Sequence, residues 1–230
     1  MNNKLLHTLS MLLLAMVAFT FTSCSLSDLD EIDGHRYVDL GLSVKWATCN
    51  VGADSPDDYG DYFAWGETQP KSTYNRSTYK WNEGDSGNLT KYCNLYYFGT
   101  VDNKIQLDLS DDAAHVNWGG NWRMPTYDEW KELRDKCTWT WRRHTYYYDD
   151  EAGFEVTSKI NGNSIFLPAA GYREDGSLYD AGSKGCYWSS SLRTSFPYEA
   201  RSVDFSEGRV ESPYPYPSRL YGFSVRPVCP

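Results

Sequence analysis

The chain has 230 residues, with 31 acidic and 22 basic side chains and a formal charge of −9. That balance excludes nucleic acid as a partner, because phosphates require a Lys/Arg surface, and a mean hydropathy of −0.62 excludes a polytopic membrane protein. Leu, Ile, Val and Phe together supply only about a fifth of the chain, a fraction that reads as disorder when charge is high. The 19 Tyr and 9 Trp reverse that reading, since each buried ring removes roughly 150–250 Å² from water.

In chain order, Lys4 precedes an apolar run from Leu9 to Phe21 that is broken only by Ser10 and Thr20. The run is short for a bilayer span and suits the h-region of a signal peptide. It ends Phe21-Thr22-Ser23-Cys24, which resembles the lipobox of bacterial lipoproteins, with Phe21 where that motif usually has Leu. The resemblance implies a signal peptide over 1–23, lipidation of Cys24 and attachment to a membrane through that anchor. Residues 24–34 read as an acidic tether carrying Asp28, Asp30, Glu31 and Asp33. They resemble the surface-export signal of Bacteroidetes lipoproteins, which implies an outer-membrane protein facing outward at the cell surface.

From residue 35 to 230 one domain is expected, with short strands punctuated by turns. Tyr37–Leu40 and Val44–Ala47 flank a turn at Gly41. Glu155–Ile160 and Asn163–Leu167 flank Asn161-Gly162, a pair suited to a type I′ hairpin because both central residues need φ > 0. Asp175-Gly176 and Glu207-Gly208 mark further turns. Val203 and Phe205 alternate with Asp204, and Phe223 and Val225 with Ser224, so both stretches read as half-buried strands. One helix is signalled. Thr126 and Glu129 form a capping box, and Trp130, Leu133 and Cys137 make the inward stripe. The fold class is therefore α+β, with few helices and long loops.

Trp122-Arg123-Met124-Pro125-Thr126, followed by Glu129-Trp130, resembles an element of formylglycine-generating-enzyme-like proteins, which have the C-type-lectin-like fold. The wider pattern includes Tyr37–Ala47, Tyr59–Glu67, Leu167–Tyr172, Tyr187–Ser191 and Gly222–Pro227. It is similar to the Fibrobacter succinogenes major paralogous domain family, common in Bacteroidetes lipoproteins. The resemblance covers roughly residues 35 to 228 and implies small twisted antiparallel sheets that carry long loops.

Catalytic and metal signatures are weak. The oxidase members of the fold family use a closely spaced cysteine pair near the chain end, whereas Cys186 and Cys229 lie far apart. The Glu-Pro-Asn, Gln-Pro-Asn and Trp-Asn-Asp calcium motifs of sugar-binding lectins are missing. Asp54, Asp57, Asp58 and Asp61 form an acidic loop that reads as a solvated turn, with calcium ligation as its alternative. Ser110, Asp111 and Asp112 read as caps of a short helix, with a metal site including His115 as the alternative. Cys49, Cys93, Cys137, Cys186 and Cys229 remain after lipidation. Export permits disulfides, and an odd number leaves at least one thiol unpaired. No cofactor and no catalytic residue are expected.

The stretch 192–221 carries the site expectation. Thr194, Pro197, Ala200, Val203, Phe205 and Val210 read as framework. Arg193, Phe196, Tyr198, Arg201, Asp204, Arg209, Glu211, Tyr214 and Tyr216 read as ligand-binding residues on one exposed surface, because Tyr, Phe and Arg make anchors at low entropic cost. The resemblance places this stretch on the ligand face of the fold. It also resembles the region rewritten by diversity-generating retroelements in some lipoproteins of that family. The expected function is a surface-anchored module that binds an extracellular protein or glycan. An enzyme of the formylglycine-generating type and a structural adhesin subunit stay open.

Overall fold

The computed structural model describes residues 30–84, 87–143, 152–211 and 217–230. Cys24, the signal peptide, Asp28, Tyr214 and Tyr216 lie outside the described residues. The architecture is sheet-rich α+β. The strands are β1 (Glu31–Ile32), β2 (His35–Val38), β3 (Lys45–Ala47), β4 (Cys137–Arg143), β5 (Ala152–Ser158), β6 (Ser164–Pro168), β7 (Tyr172–Glu174), β8 (Ser177–Tyr179), β9 (Lys184–Leu192), β10 (Ala200–Ser206), β11 (Arg209–Glu211) and β12 (Val228–Cys229). They form four antiparallel sheets, ordered β1-β2-β3-β12, β11-β10-β9, β4-β5-β6 and β7-β8. Two α-helices, α1 (Ala113–Trp118) and α2 (Tyr127–Lys136), complete the described framework. The first sheet joins the two ends of the domain, since β12 pairs with β3. The acidic stretch expected as tether through residue 34 is already structured from Asp30, whose carbonyl accepts from the Tyr37 amide at 3.1 Å.

Helix α2 starts where its sequence dictates. Thr126 Oγ1 accepts from the Glu129 amide at 3.2 Å, and the Glu129 carboxylate accepts from the Thr126 amide at 2.7 Å. Arg123 grips the same carboxylate with both terminal nitrogens. Burial raises the pKa of Glu129, but the bonds from Arg123 and Thr126 outweigh it and hold the carboxyl below its ordinary value. Trp130 and Leu133 are buried. Cys137 is buried in the same core, but it follows the last helical residue and opens β4, so the last member of the inward stripe stands on the strand rather than the helix.

The main core lies between α2, the β4-β5-β6 sheet and the inner face of β10, where Val203 and Phe205 are buried. Phe205 meets Phe154 edge to face at 5.3 Å and stacks on Tyr187 at 5.7 Å. Its register partner is Gly185, and a Cβ there would overlap the Phe205 ring, so the position admits only glycine without repacking. Two further clusters, one around Trp65, Trp188 and Phe223 and one around Tyr62, Tyr74 and Tyr79, support the long irregular stretch between β3 and α1.

Three local expectations change. The β5–β6 connection spans residues 159–163 rather than two. Gly162 has φ +80°, while Asn161 is not left-handed, so the turn is not type I′. Its closing bond runs from the Gly162 amide to the Ser158 carbonyl at 3.1 Å. Ser224 is fully buried between Phe223 and Val225, so this segment is interior on both faces rather than half-buried. It has only isolated bridges, to Phe63 and Tyr187, in place of a strand ladder. The five described cysteines are all free thiols, four of them buried, so the disulfides that export would permit do not form among them.

Candidate functional site

Of the ten large apolar side chains exposed among the described residues, five lie on two loops that meet: Tyr96 (69 %), Tyr97 (76 %), Val101 (41 %) and Ile105 (55 %) on one and Phe196 (39 %) on the other. The first loop runs over 94–106 and contains a single 3₁₀ turn, Tyr96–Phe98. Gly99 follows it with φ 142°, and a side chain there would collide with the Leu89 backbone, so glycine fixes the exit of the turn. Asp102 braces this loop by accepting from the amides of Tyr92 (2.8 Å), Cys93 (3.0 Å) and Lys104 (3.1 Å). The second loop, 193–199, leaves β9 and returns into β10. It is closed by the Arg193–Glu199 ion pair and by the Glu199 amide bonding the Phe196 carbonyl at 3.0 Å.

The loops join through rings and one amide side chain. Phe98 meets Phe196 edge to face at 5.1 Å and Tyr198 at 5.0 Å, and Phe196 meets Tyr198 at 5.8 Å. Tyr96 and Tyr97 lie at 3.7 Å with a 35° tilt, and the hydrogen bond with Tyr97 raises the Tyr96 phenol pKa. Asn94 Nδ2 donates to the Thr194 carbonyl at 2.8 Å. Residues 105–107 then run antiparallel to the end of β9, the Leu192 amide bonding the Ile105 carbonyl at 2.8 Å. The result is an aromatic ledge with a half-buried base (Phe98, Tyr198) and an exposed top (Tyr96, Tyr97, Phe196).

An ionic network lies beside the ledge. Lys91 bridges Asp108 at 2.7 Å and also pairs with Asp111, which accepts from Tyr92 at 2.7 Å and Lys80 at 3.2 Å. Burial raises the Asp111 pKa, but the bonds from Lys91, Tyr92 and Lys80 outweigh it and hold the carboxyl below its ordinary value. Asp111 is thus committed to an ion-pair network, and Asp112 caps α1 by accepting from the His115 amide at 3.0 Å. Among the described residues no group of three His, Cys, Asp or Glu side chains could hold a metal ion, the Asp54–Asp61 loop included.

The expected ligand-binding residues divide among several places. Phe196 and Tyr198 belong to the ledge, and Arg193 closes its second loop. Arg201 is half-buried with its guanidinium over the Tyr127 ring of α2 at 4.8 Å. Asp204 is half-buried against Lys184 at 3.4 Å, and burial raises its pKa. Arg209 is exposed on β11, and Glu211 ends that strand opposite Asp204. Arg201 and Asp204 therefore serve different neighbours rather than one shared surface with Phe196. The ledge half contributed by Tyr96, Tyr97, Val101 and Ile105 was missed from sequence. Its one local signal is three consecutive rings, Tyr96-Tyr97-Phe98, with neither strand nor helix periodicity.

Compared with known proteins, the chain matches no family model, no curated protein and no solved structure.

Proposed function

We propose that the protein is an outer-membrane lipoprotein of the C-type-lectin-like class, anchored at the cell surface through Cys24, that binds a protein partner on the aromatic ledge. The pairing of β12 with β3 in one sheet and the long irregular stretch between β3 and α1 support the fold reading. The single observation that carries the functional reading is that two loops joined through Phe98, Phe196 and Tyr198 bear five exposed apolar side chains. Exposed apolar patches of this kind mark interaction sites, and Tyr and Phe are preferred anchors. A protein fits better than a glycan, because the same loop also exposes the aliphatic Val101 and Ile105, while the Asn94 amide nitrogen and the Arg193 and Glu199 side chains already bond within the ledge. Exchange of residues on the 193–199 loop by a retroelement is compatible with this arrangement, and a reverse-transcriptase gene beside an imperfect 3′ repeat would establish it.

The test is a binding screen against extracellular proteins and glycans, repeated with Tyr97→Ala and Phe196→Ala. A protein hit weakened by both changes supports the reading, and a hit indifferent to both places recognition elsewhere. For the anchor, Cys24→Ser should abolish palmitate labelling and release the protein from membranes. Continued labelling would refute lipidation at that residue.

A further inference from the structure

Two loops far apart in sequence make the ledge, and one side chain beneath them bonds to the second loop and to the residues that lead into the first. Arg219 is fully buried. Its Nε donates to the Tyr79 hydroxyl at 2.8 Å, Nη1 to the carbonyls of Tyr92 (3.1 Å) and Pro197 (3.0 Å), and Nη2 to the carbonyl of Lys91 (3.2 Å). Its own amide bonds the Tyr198 carbonyl at 3.0 Å. The guanidinium lies over Trp65 at 4.7 Å and near the rings of Tyr79 (5.4 Å) and Tyr92 (5.9 Å). Pro197 stands between the two ledge rings Phe196 and Tyr198, and Lys91 and Tyr92 lead directly into the loop that bears Tyr96–Phe98.

We infer that Arg219 is the positioning residue of the ledge, setting the spacing between its two loops; this rests on reading the ledge as the binding surface. A buried cation without a carboxylate is expensive, and an apolar side chain of similar volume usually fills such a space at lower cost. Among the described residues no acidic group forms an ion pair with Arg219, so its charge is met by carbonyls, the Tyr79 hydroxyl and ring faces. What a guanidinium adds over an apolar filler is a planar fork whose donors reach several acceptors at once in fixed directions. Here those acceptors are the Pro197 carbonyl of the second loop and the Lys91 and Tyr92 carbonyls at the entry to the first, and the loops otherwise meet through ring edges and Asn94. Lysine carries the same charge on a single nitrogen and cannot bridge this set of carbonyls.

The test reads the ledge without any ligand. The full chain is labelled with 4-fluorophenylalanine, and Phe98, Phe196, Phe154 and Phe205 are assigned in ¹⁹F spectra by single Phe→Leu changes. Phe98 and Phe196 are shifted by each other's rings, whereas Phe154 and Phe205 report on the main core. In Arg219→Lys the Phe98 and Phe196 signals should move toward the position of free fluorophenylalanine while the core pair stays put. Tyr79→Phe, which removes one acceptor and keeps the volume, should move the same two signals in the same direction by less. A folded Arg219→Lys protein with unmoved ledge signals, or with all four signals moving together, overturns the assignment. If Arg219→Lys does not fold, Tyr79→Phe decides alone: selective movement of the ledge pair supports the role, and no movement refutes it. Because no partner is used, failure of the binding screen would count against the function and not against this positioning role.

Discussion

The half of the domain built on α2 and β4–β6 and the half built from the loops between β3 and α1 bury aromatic rings in two different ways. In the first, Trp46, Trp139 and Trp141 have buried indole N–H groups that find no acceptor among the described residues. In the second, the polar tips are bonded to backbone carbonyls: Trp65 to Ser189 (2.8 Å), Trp81 to Gly66 (2.8 Å), Trp188 to Phe63 (2.7 Å), Tyr62 to Ala170 (2.5 Å), Tyr74 to Tyr62 (2.6 Å) and Tyr79 to Trp65 (2.7 Å). Ladders consume the carbonyls around these three indoles and leave them without partners, whereas Trp130 Nε1 reaches the Trp188 carbonyl at 3.2 Å. Irregular backbone leaves carbonyls that must be met from elsewhere, and Tyr and Trp carry an apolar body with a donor at its end. The unusual Tyr and Trp content follows from that need. Arg226 serves the same purpose, donating from full burial to Asn50 Oδ1 (2.9 Å) and to the carbonyls of Ala47 (3.0 Å), Thr48 (2.5 Å) and Phe166 (2.9 Å).

The contrast can be broken most severely in the sheet half. Phe205→Ala and Trp130→Ala should each cost roughly 3–5 kcal/mol, read by urea titration, and a Trp130→Ala protein that melts like the parent would mean the helix face is wrong. In the loop half, Tyr62→Phe removes only a hydroxyl but strands the buried Ala170 carbonyl, so the loss should be about 1–3 kcal/mol. If Tyr62→Phe is neutral, the tyrosine tips are not needed by the loop backbone. Thr126→Ala removes one half of the capping box and should cost about 1 kcal/mol, seen in the same titration.

Smaller still is a pH effect at the β1–β2 hairpin. His35 stacks on Trp118 at 3.8 Å with a 2° interplanar angle. Burial lowers its pKa below 6.5, and Asp33 and Glu31 only partly oppose this. The unfolded chain therefore takes up the proton first as pH falls, so the stabilisation is complete above pH 6.5 and is lost below it. Melting curves at about pH 7.5 and about pH 5.5 should show a drop that His35→Phe reduces. The smallest effect on stability is expected at the ledge. Tyr97→Ala and Phe196→Ala should shift unfolding by no more than about 0.5 kcal/mol while weakening partner binding by roughly 2 kcal/mol at the best anchor. Destabilisation with unchanged affinity would mean the rings belong to the fold and not to a site.

Legibility in the sequence followed the range of the interactions. The α2 start was readable because Thr126 and Glu129 act on each other's amides three residues apart. The β5–β6 hairpin was readable as a pair of strands, but its five-residue turn was not, because Asn161 Nδ2 is engaged by the Asp39 carbonyl at 2.9 Å from another element. Half of the ledge was visible in the 193–198 rings, and the other half was not, since Tyr96 and Tyr97 carry no periodic signal and their neighbour Phe98 meets Phe196 only through folding.

By itself, then, the sequence determined the sheet-rich α+β class, the capped helix, the alternation of Val203 and Phe205 around Asp204, and a core made of rings. Tertiary structure alone decided that Ser224, Arg219 and Arg226 are interior, that the cysteines stay unpaired among the described residues, and that residues 94–106 complete the surface begun by 193–199. The reason is physical. Caps and alternation depend on neighbours a few positions away, whereas a buried polar side chain depends on acceptors such as the Lys91 carbonyl, 128 positions from Arg219 in the chain.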